Sequence, residues 1–166
     1  MSRLERRYDV DWLRVLAMFS VFLFHCARYF DHEGWHVKNP QLSFAFSVFV
    51  GILVQWIMPI FFVLSGMSSW FALSFRSSGQ YLNERFKRLF IPLVFGIFIL
   101  IPPQVYIERF TNNQFSGSFF QFYPHYFDGW YGLGGNFAWM GLHLWFLLIL
   151  FLFSLLTLPV LLSLRS

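Results

Sequence analysis

Residues 11–28, DWLRVLAMFSVFLFHCAR, form an apolar stretch that carries ionisable side chains. Nearly every position from 12 to 30 is apolar, and at about 1.5 Å per residue a helix of that length crosses a hydrocarbon core of about 30 Å. Arg14, His25 and Arg28 nevertheless lie inside it. Ionisable groups are costly within a membrane span, so we expect these three to face a bundle interior, a partner or a water-filled cavity.

The spacing of the ionisable residues predicts that they share one face of this helix. Arg14 and His25 are eleven residues apart, and at about 100° per residue that separation is close to three full turns. Asp11 lies three residues before Arg14, and Arg28 lies three residues after His25. With the N-terminus in the cytoplasm, Arg14 lies near the inner boundary of the membrane and His25 lies roughly 16 Å deeper. A reaction could then use groups at two depths of the membrane.

A structural interpretation of the same residues stays open. Arg14 can extend to the lipid headgroups and pair with Asp11. His25 can act as a hydrogen-bonding residue between helices. Spacing alone does not separate this interpretation from a functional one.

The composition indicates an integral membrane protein without a metal site. Of the 166 residues, 57% are hydrophobic and only 12% are charged, which excludes a soluble domain of this size. Cys26 is the single cysteine, so we expect no internal disulfide and no cysteine metal cluster. His32 and His36 have a spacing that can chelate a metal on a helix, but Gly34 between them and the lack of a third ligand argue against such a site.

The apolar runs predict an all-α fold, a polytopic transmembrane helix bundle of about four spans in a single membrane domain. Pro59 is expected to kink the second span, and Pro102 with Pro103 to make the outer part of the third span irregular. Residues 108–140 are expected to form an outer loop whose aromatic side chains either form an interfacial belt or stack on sugar rings. The predicted spans lie near residues 12–30, 49–75, 89–107 and 142–164.

Basic residues next to the apolar runs predict the orientation, with both termini in the cytoplasm. This distribution is typical of orientation signals rather than of nucleic-acid binding. Residues 81–88 are expected to form a surface helix on which Arg85 and Arg88 point the same way. They are either orientation signals alone or a guanidinium pair suited to a phosphorylated cytoplasmic ligand. The residues assigned to the cytoplasm are Arg3, Arg6, Arg7, Arg76, Arg85, Lys87, Arg88 and Arg165.

Three motifs give the chain a resemblance to a known family. Arg14 and His25 have an arginine, ten residues, histidine spacing, and residues 85–88, RFKR, resemble an R-x-x-R cytoplasmic motif. Residues 58–66, MPIFFVLSG, are similar to an FFxLSG-type segment of a second span. Together with YDVDWLRVLA at the start and HLWFL near the end, they resemble the N-terminal part of the acyltransferase 3 family of integral-membrane acyltransferases, most of all its glucan succinyltransferase branch.

The resemblance implies transfer of an acyl group, acetyl or succinyl, from a cytoplasmic acyl-CoA to a hydroxyl of an extracytoplasmic glycan. His25 would be the base that deprotonates the hydroxyl, and Arg14 would orient the donor. Arg85 and Arg88 would hold the nucleotide phosphates of the donor. The remaining candidates, for the wall of the site, are Asp11, Arg28, His143 and Trp145.

The same resemblance implies a multi-pass protein of the bacterial inner membrane. Its expected partners are membrane lipid, acyl-CoA as donor substrate, and a glycan or polysaccharide acceptor. No bound cofactor, metal or nucleic acid is expected. Members of the family usually have more spans than the four predicted here, so we expect a fragment of a longer protein.

Other functions remain open from the sequence. In a proton-coupled membrane transporter, Asp11, Arg14 and His25 would form an ion relay, and the basic loop would not need to bind a nucleotide. In a haem-binding electron carrier, His25 and His143 would ligate the iron. An inactive, truncated four-span remnant is a third account.

Overall fold

A computed structural model describes residues 7–164, so the orientation signals at Arg3, Arg6 and Arg165 lie outside the described residues. Among the described residues, four helices are long and apolar enough to cross a membrane. They confirm the prediction of an all-α protein with four apolar helices of spanning length. A short fifth helix lies between the third and the last. The helices are α1, Tyr8–Ala27; α2, Phe44–Ala72; α3, Ser78–Thr111; α4, Phe119–His125; and α5, Leu142–Ser163.

The described chain falls into two compact units whose boundary lies between Ser68 and Ser69, inside α2. The first unit contains α1, the connection that follows it and most of α2. The second unit contains the end of α2 and helices α3, α4 and α5. Each unit has its own set of internal contacts.

Helix α1 begins four residues before the predicted first span and ends at Ala27, three residues before its predicted end. Asp9 and Asp11 lie in its first turn, where negative charge is favourable near the positive end of the helix dipole. Arg28 follows the last helical residue, and its N–H donates to the carbonyl of Phe24 at 3.0 Å. Arg28 is therefore the C-cap of α1, and its side chain meets the connection that follows.

Helix α3 is continuous over 34 residues, and it corrects two predictions. Residues 81–88 belong to this helix rather than to a separate surface helix, and the segment Ile101–Thr111 is regular α-helix rather than irregular. The helix begins at a capping box. Ser77 Oγ accepts a hydrogen bond from the Gln80 N–H at 3.3 Å, and Gln80 Oε1 accepts one from the Ser77 N–H at 3.1 Å, which satisfies donors that a helix start leaves unpaired.

Two π turns, Phe86–Phe90 and Gly96–Leu100, explain how α3 accommodates its prolines. A proline has no N–H, and its ring collides with the carbonyl four residues earlier. The carbonyls four residues before Pro92, Pro102 and Pro103 all lie within the two π turns. In a π turn the backbone hydrogen bonds join residues five positions apart rather than four. The wider turns relieve this steric clash. The helix therefore continues where the sequence predicted an irregular segment.

Two tyrosines at the end of α4 complete the hydrogen bonding of the second π turn. The Tyr123 hydroxyl donates to the carbonyl of Phe98 at 3.1 Å, and the Tyr126 hydroxyl donates to the carbonyl of Ile97 at 2.9 Å. Pro102 cannot donate to either carbonyl. The side chains of a later helix thus supply the donors that the helix sequence lacks.

Residues 112–141, between α3 and α5, are folded rather than an open loop, and we call them the aromatic connection. They contain α4 and two isolated β-bridges, Trp130 with Phe137 and Tyr131 with Gly135. Their largest buried side chains pack against α3. The buried cluster consists of Ile101, Val105, Phe122, Tyr126 and Ala138.

Helix α5 approaches α3 at a glycine. A Cβ atom added at Gly96 would lie only 2.1 Å from Leu144 Cδ1, so a larger residue would force the Leu144 side chain to move. Leu144 belongs to the 3₁₀ turn Leu142–Leu144 that begins α5, and Gly141 enters this turn with a positive φ of 80°, which glycine adopts at little cost. Gly96 and Gly141 thus both lie close to Leu144 at the start of the last helix.

Candidate active site

Arg14 is held at the N-terminal end of α1 by two partners. Its Nη1 donates to Asp11 Oδ1 at 3.1 Å, and its Nη2 donates to Ser68 Oγ in α2. Ser68 Oγ in turn donates to the Leu64 carbonyl at 2.5 Å. The Arg14 side chain remains 42% exposed, so its guanidinium is both fixed in direction and accessible to a ligand.

Ser68 was not among the candidates that sequence analysis named. The two residues are 54 positions apart, and no periodicity links them. The weak signal was the run of small polar residues in an otherwise apolar span. A serine in such a span needs a hydrogen-bond partner, and here that partner is the arginine of the predicted site.

His25 lies in the last turn of α1 and is half-buried among aromatic rings. Its ring centroid is 5.4 Å from that of Phe24, with an edge-to-face angle of 84°, and 5.8 Å from that of Trp35, with a tilt of 48°. Trp35 comes from the connection after α1. The predicted base therefore lies beneath a tryptophan that sequence analysis did not single out.

Arg28 is buried at the end of α1, with only 8% of its side chain exposed. Its Nη1 donates to Asp31 Oδ2 at 2.5 Å and to Glu33 Oε2 at 2.8 Å, and its Nη2 donates to the Gly34 carbonyl at 2.7 Å. Its guanidinium carbon lies 4.6 Å from the ring centroid of Trp35. Arg28 therefore binds the residues that follow α1.

Asp31 is fully buried between two cations. Besides Arg28, it accepts a hydrogen bond from Lys38 Nζ, which also donates to the backbone carbonyls of Arg28 at 2.7 Å and Asp31 at 2.9 Å. Burial of a carboxylate is costly unless it is paired and hydrogen-bonded, and both conditions are met here. We call residues 28–43 the charged connection, because this network of ion pairs and hydrogen bonds lies within it.

Arg85 and Arg88 have different surroundings in the second unit. Arg85 Nη2 donates to Ser69 Oγ at 2.9 Å, and its guanidinium carbon lies 5.0 Å from the ring centroid of Tyr81. The Tyr81 hydroxyl also donates to Ser69 Oγ at 2.9 Å. Arg88 lies on the first π turn and is exposed. Arg85 is thus fixed on a buried serine, whereas Arg88 extends from the surface of the helix.

His143 and Trp145 lie at the start of α5, and both are exposed. Trp145 lines an open cavity of about 350 Å³, and His143 does not line it. The cavity wall is apolar and aromatic. Its lining residues are Tyr131, Ala138, Trp139, Met140, Leu142 and Trp145.

A polar cluster beside this cavity was missed by sequence analysis. The Tyr131 hydroxyl donates to the buried carboxylate of Glu108, at 2.7 Å to Oε2 and 3.0 Å to Oε1. Burial, followed by this hydrogen bond and the charge of Glu108, raises the pKa of Tyr131 well above its usual range. Arg109 donates to Asn136 Oδ1 at 2.9 Å and to the Gly135 carbonyl at 3.0 Å, which ties the aromatic connection to the end of α3.

Metal ligation finds no support among residues 7–164, where no three histidine, cysteine or acidic side chains are grouped so as to hold an ion. The Nδ1 atom of His32 lies 3.1 Å from Ser47 Oγ in α2. The ring of His36 instead lies against Trp35, with centroids 4.8 Å apart. The two histidines of the charged connection thus contact different partners.

Comparisons with known proteins give the chain a family. The model of an acyltransferase domain family, Acyl_transf_3, matches residues 7–166. Similar curated proteins include Glucans biosynthesis protein C of Escherichia coli strain SMS-3-5 / SECEC and of strain K12, each 26% identical over 152 residues. The match covers 88% of this chain and 36% of each relative, so the chain spans about a third of the length of these relatives. No solved structure matches significantly.

Proposed function

Because the chain belongs to the acyltransferase 3 family, as its motifs predicted, we propose that it forms the catalytic and donor-binding part of an integral-membrane O-acyltransferase. The donor is an acyl-CoA on the cytoplasmic side, and the acceptor is a hydroxyl of an extracytoplasmic glycan. The name of its relatives, Glucans biosynthesis protein C, favours a glucan-like acceptor. The transferred group is acetyl or succinyl.

One observation carries the proposal: α1 holds an accessible arginine near one end and a half-buried histidine near the other. The interval between Arg14 and His25 corresponds to about 16 Å along the helix. A donor bound at Arg14 can therefore extend its acyl end along α1 toward His25. This arrangement suits a reaction whose two substrates enter from opposite sides of a membrane.

In the proposed reaction, His25 accepts the proton of the acceptor hydroxyl as the hydroxyl oxygen attacks the thioester carbonyl carbon. A carbon–oxygen bond forms, the carbon–sulfur bond breaks, and the CoA sulfur leaves and takes the proton. An imidazole suits this task because its usual pKa lies near neutrality.

Arg85 and Arg88 are the proposed ligands of the donor phosphates, and Arg14 is proposed to orient the donor. Arginine binds phosphate oxygens through paired, charge-assisted hydrogen bonds. Arg14 and Arg85 are each directed by a serine of α2, which reduces the conformational entropy lost on binding. The exposed Arg88 supplies a further cation to the diphosphate or the nucleotide phosphate.

The proposed orientation places both chain ends in the cytoplasm of a bacterial cell, with the protein in the inner membrane. The basic residues of the stretch between α2 and α3 support this orientation through the positive-inside rule. The charged and aromatic connections then face the extracytoplasmic side, where the glycan acceptor is available. Cysteine accessibility labelling at Ser78 and Asn113, each replaced by cysteine, tests the two sides directly.

The central test is His25→Ala in the complete protein, expressed in the native membrane. We expect loss of glycan acylation with an unchanged amount of membrane-inserted protein. The matched control is His32→Ala, because His32 lies seven residues further along the chain and contacts Ser47 rather than the α1 site. Acylation that survives in His25→Ala would remove His25 from the mechanism, and the proposal with it.

A further inference from the structure

Trp35 gathers the side chains at the end of α1 around its indole ring. Besides its contact with His25, its ring centroid lies 4.8 Å from that of His36, with an angle of 62°, and 6.4 Å from that of Phe24, edge to face at 90°. The guanidinium of Arg28 lies over the same ring system. Trp35 thus contacts the predicted base and a buried cation at once.

The charged connection that carries Trp35 is unusually well anchored for a short loop. The Asn39 N–H donates to the Tyr29 carbonyl at 2.9 Å, and the Ser43 N–H donates to the Phe30 carbonyl at 2.8 Å. The buried Asp31 joins both ends of the segment through Arg28 and Lys38. Connections normally have few such bonds and are mobile, whereas several bonds close this one on itself, and Trp35 brings it against Phe24 and His25 of α1.

We infer that Trp35 is a positioning residue for His25, and that the pair of ionic contacts at Asp31 is the frame that holds Trp35 in place. The inference rests on the proposed function, since it concerns the orientation of the proposed base. An imidazole ring turns about a broad torsion, and it can take a proton only when one nitrogen is aimed at the hydroxyl. The indole restricts that torsion by contact with the ring of His25.

This role differs from that of a catalytic residue. Trp35 itself carries no group that accepts a proton at neutral pH, and its contribution acts through the direction of His25. An aromatic ring of similar shape should therefore replace it. A flexible aliphatic side chain should not, because it lacks the flat face against which the imidazole packs.

The test compares Trp35→Leu with Trp35→Phe in the complete protein, assayed for acyl transfer to glycan. For Trp35→Leu we expect kcat to fall by about tenfold or more, because small misplacements of catalytic groups have effects of that order, with KM for acyl-CoA unchanged. Trp35→Phe should recover most of the rate. Trp56→Leu is the control, since Trp56 is 66% exposed on α2 and should leave both constants unchanged.

The outcomes separate the inference from the proposed function. If His25→Ala retains activity, the proposed function fails. If His25→Ala is inactive but Trp35→Leu keeps its kcat, or Trp35→Phe is as slow as Trp35→Leu, the positioning role is overturned alone. Should Trp35→Leu fail to reach the membrane, Trp35→Met serves as the non-aromatic variant. Equal kcat values for Trp35→Met and Trp35→Phe would then overturn the positioning role.

Discussion

The charged connection, residues 28–43, and the aromatic connection, residues 112–141, are stabilised in opposite ways. The first is held by Asp31, which has no exposed surface and contacts two cations. The second is held by Phe122 and Tyr126, which are 1% and 0% exposed within an apolar cluster. One connection buries charge, and the other buries aromatic surface.

The difference follows from length and composition. The charged connection is too short to build an apolar cluster of its own, so directional ionic contacts determine its path. The aromatic connection is longer and contains a helix, so the burial of large side chains determines its path. We therefore expect the first to be sensitive to the loss of one charge, and the second to be sensitive to the loss of volume.

The largest expected effect is that of Asp31→Asn, which keeps the shape of the side chain but removes its charge. Arg28 and Lys38 would then face a neutral amide, and removal of one member of a buried ionic contact typically costs about 3–5 kcal/mol. The measurement is amide hydrogen exchange across residues 28–43, which reports local opening. We expect exchange in this segment to rise by orders of magnitude, while exchange across residues 112–141 stays unchanged.

Glu33→Gln is the matched control for this change. Glu33 also accepts a hydrogen bond from Arg28, but it is 71% exposed, and exposed ion pairs contribute at most about 1 kcal/mol. If both substitutions affect exchange equally, burial of Asp31 is not what stabilises the charged connection.

Sequence reasoning reached the four apolar helices, because hydrophobic length is a local property. It failed at α3, where Pro102 and Pro103 predicted an irregular segment. The hydroxyls of Tyr123 and Tyr126, more than twenty residues later, supply donors that the prolines lack. Propensity rules contain no information about such distant partners, which is why the prediction was wrong.

Sequence reasoning named candidate residues for the site but not their contacts. Arg14 and His25 follow from spacing within one helix, whereas their partners do not. Ser68 reaches Arg14 from α2, and Trp35 reaches His25 only because the charged connection returns to α1. The signal for that return was present in the opposite charges of residues 28–38, but their pairing depends on a buried carboxylate that composition does not reveal.

A smaller effect is expected for Phe122→Leu in the aromatic connection. Phenylalanine to alanine in a core costs about 3–5 kcal/mol, and retention of a leucine should limit the loss to about 1–2 kcal/mol. Hydrogen exchange should rise across residues 112–141 and remain unchanged across residues 28–43, the reverse of the result for Asp31→Asn. Phe120→Leu is the control, because Phe120 is 85% exposed. Equal effects of the two substitutions would show that burial of Phe122 does not hold this connection.

The smallest effect, and the one that depends on pH, is expected for Tyr126→Phe. Loss of the hydroxyl leaves the Ile97 carbonyl without this donor and should cost about 1 kcal/mol at neutral pH.

Burial raises the pKa of Tyr126 to about 12, whereas an unfolded tyrosine ionises at about pH 10. The folded form therefore keeps a proton that the unfolded form has released, so the stability of the aromatic connection is constant below about pH 10 and declines between about pH 10 and 12. Tyr126→Phe should remove this contribution to the decline, and Tyr123→Phe, which removes the partly exposed neighbouring hydroxyl, should retain it. An identical alkaline decline in hydrogen-exchange protection for the parent protein and Tyr126→Phe would show that the buried hydroxyl does not link this connection to pH.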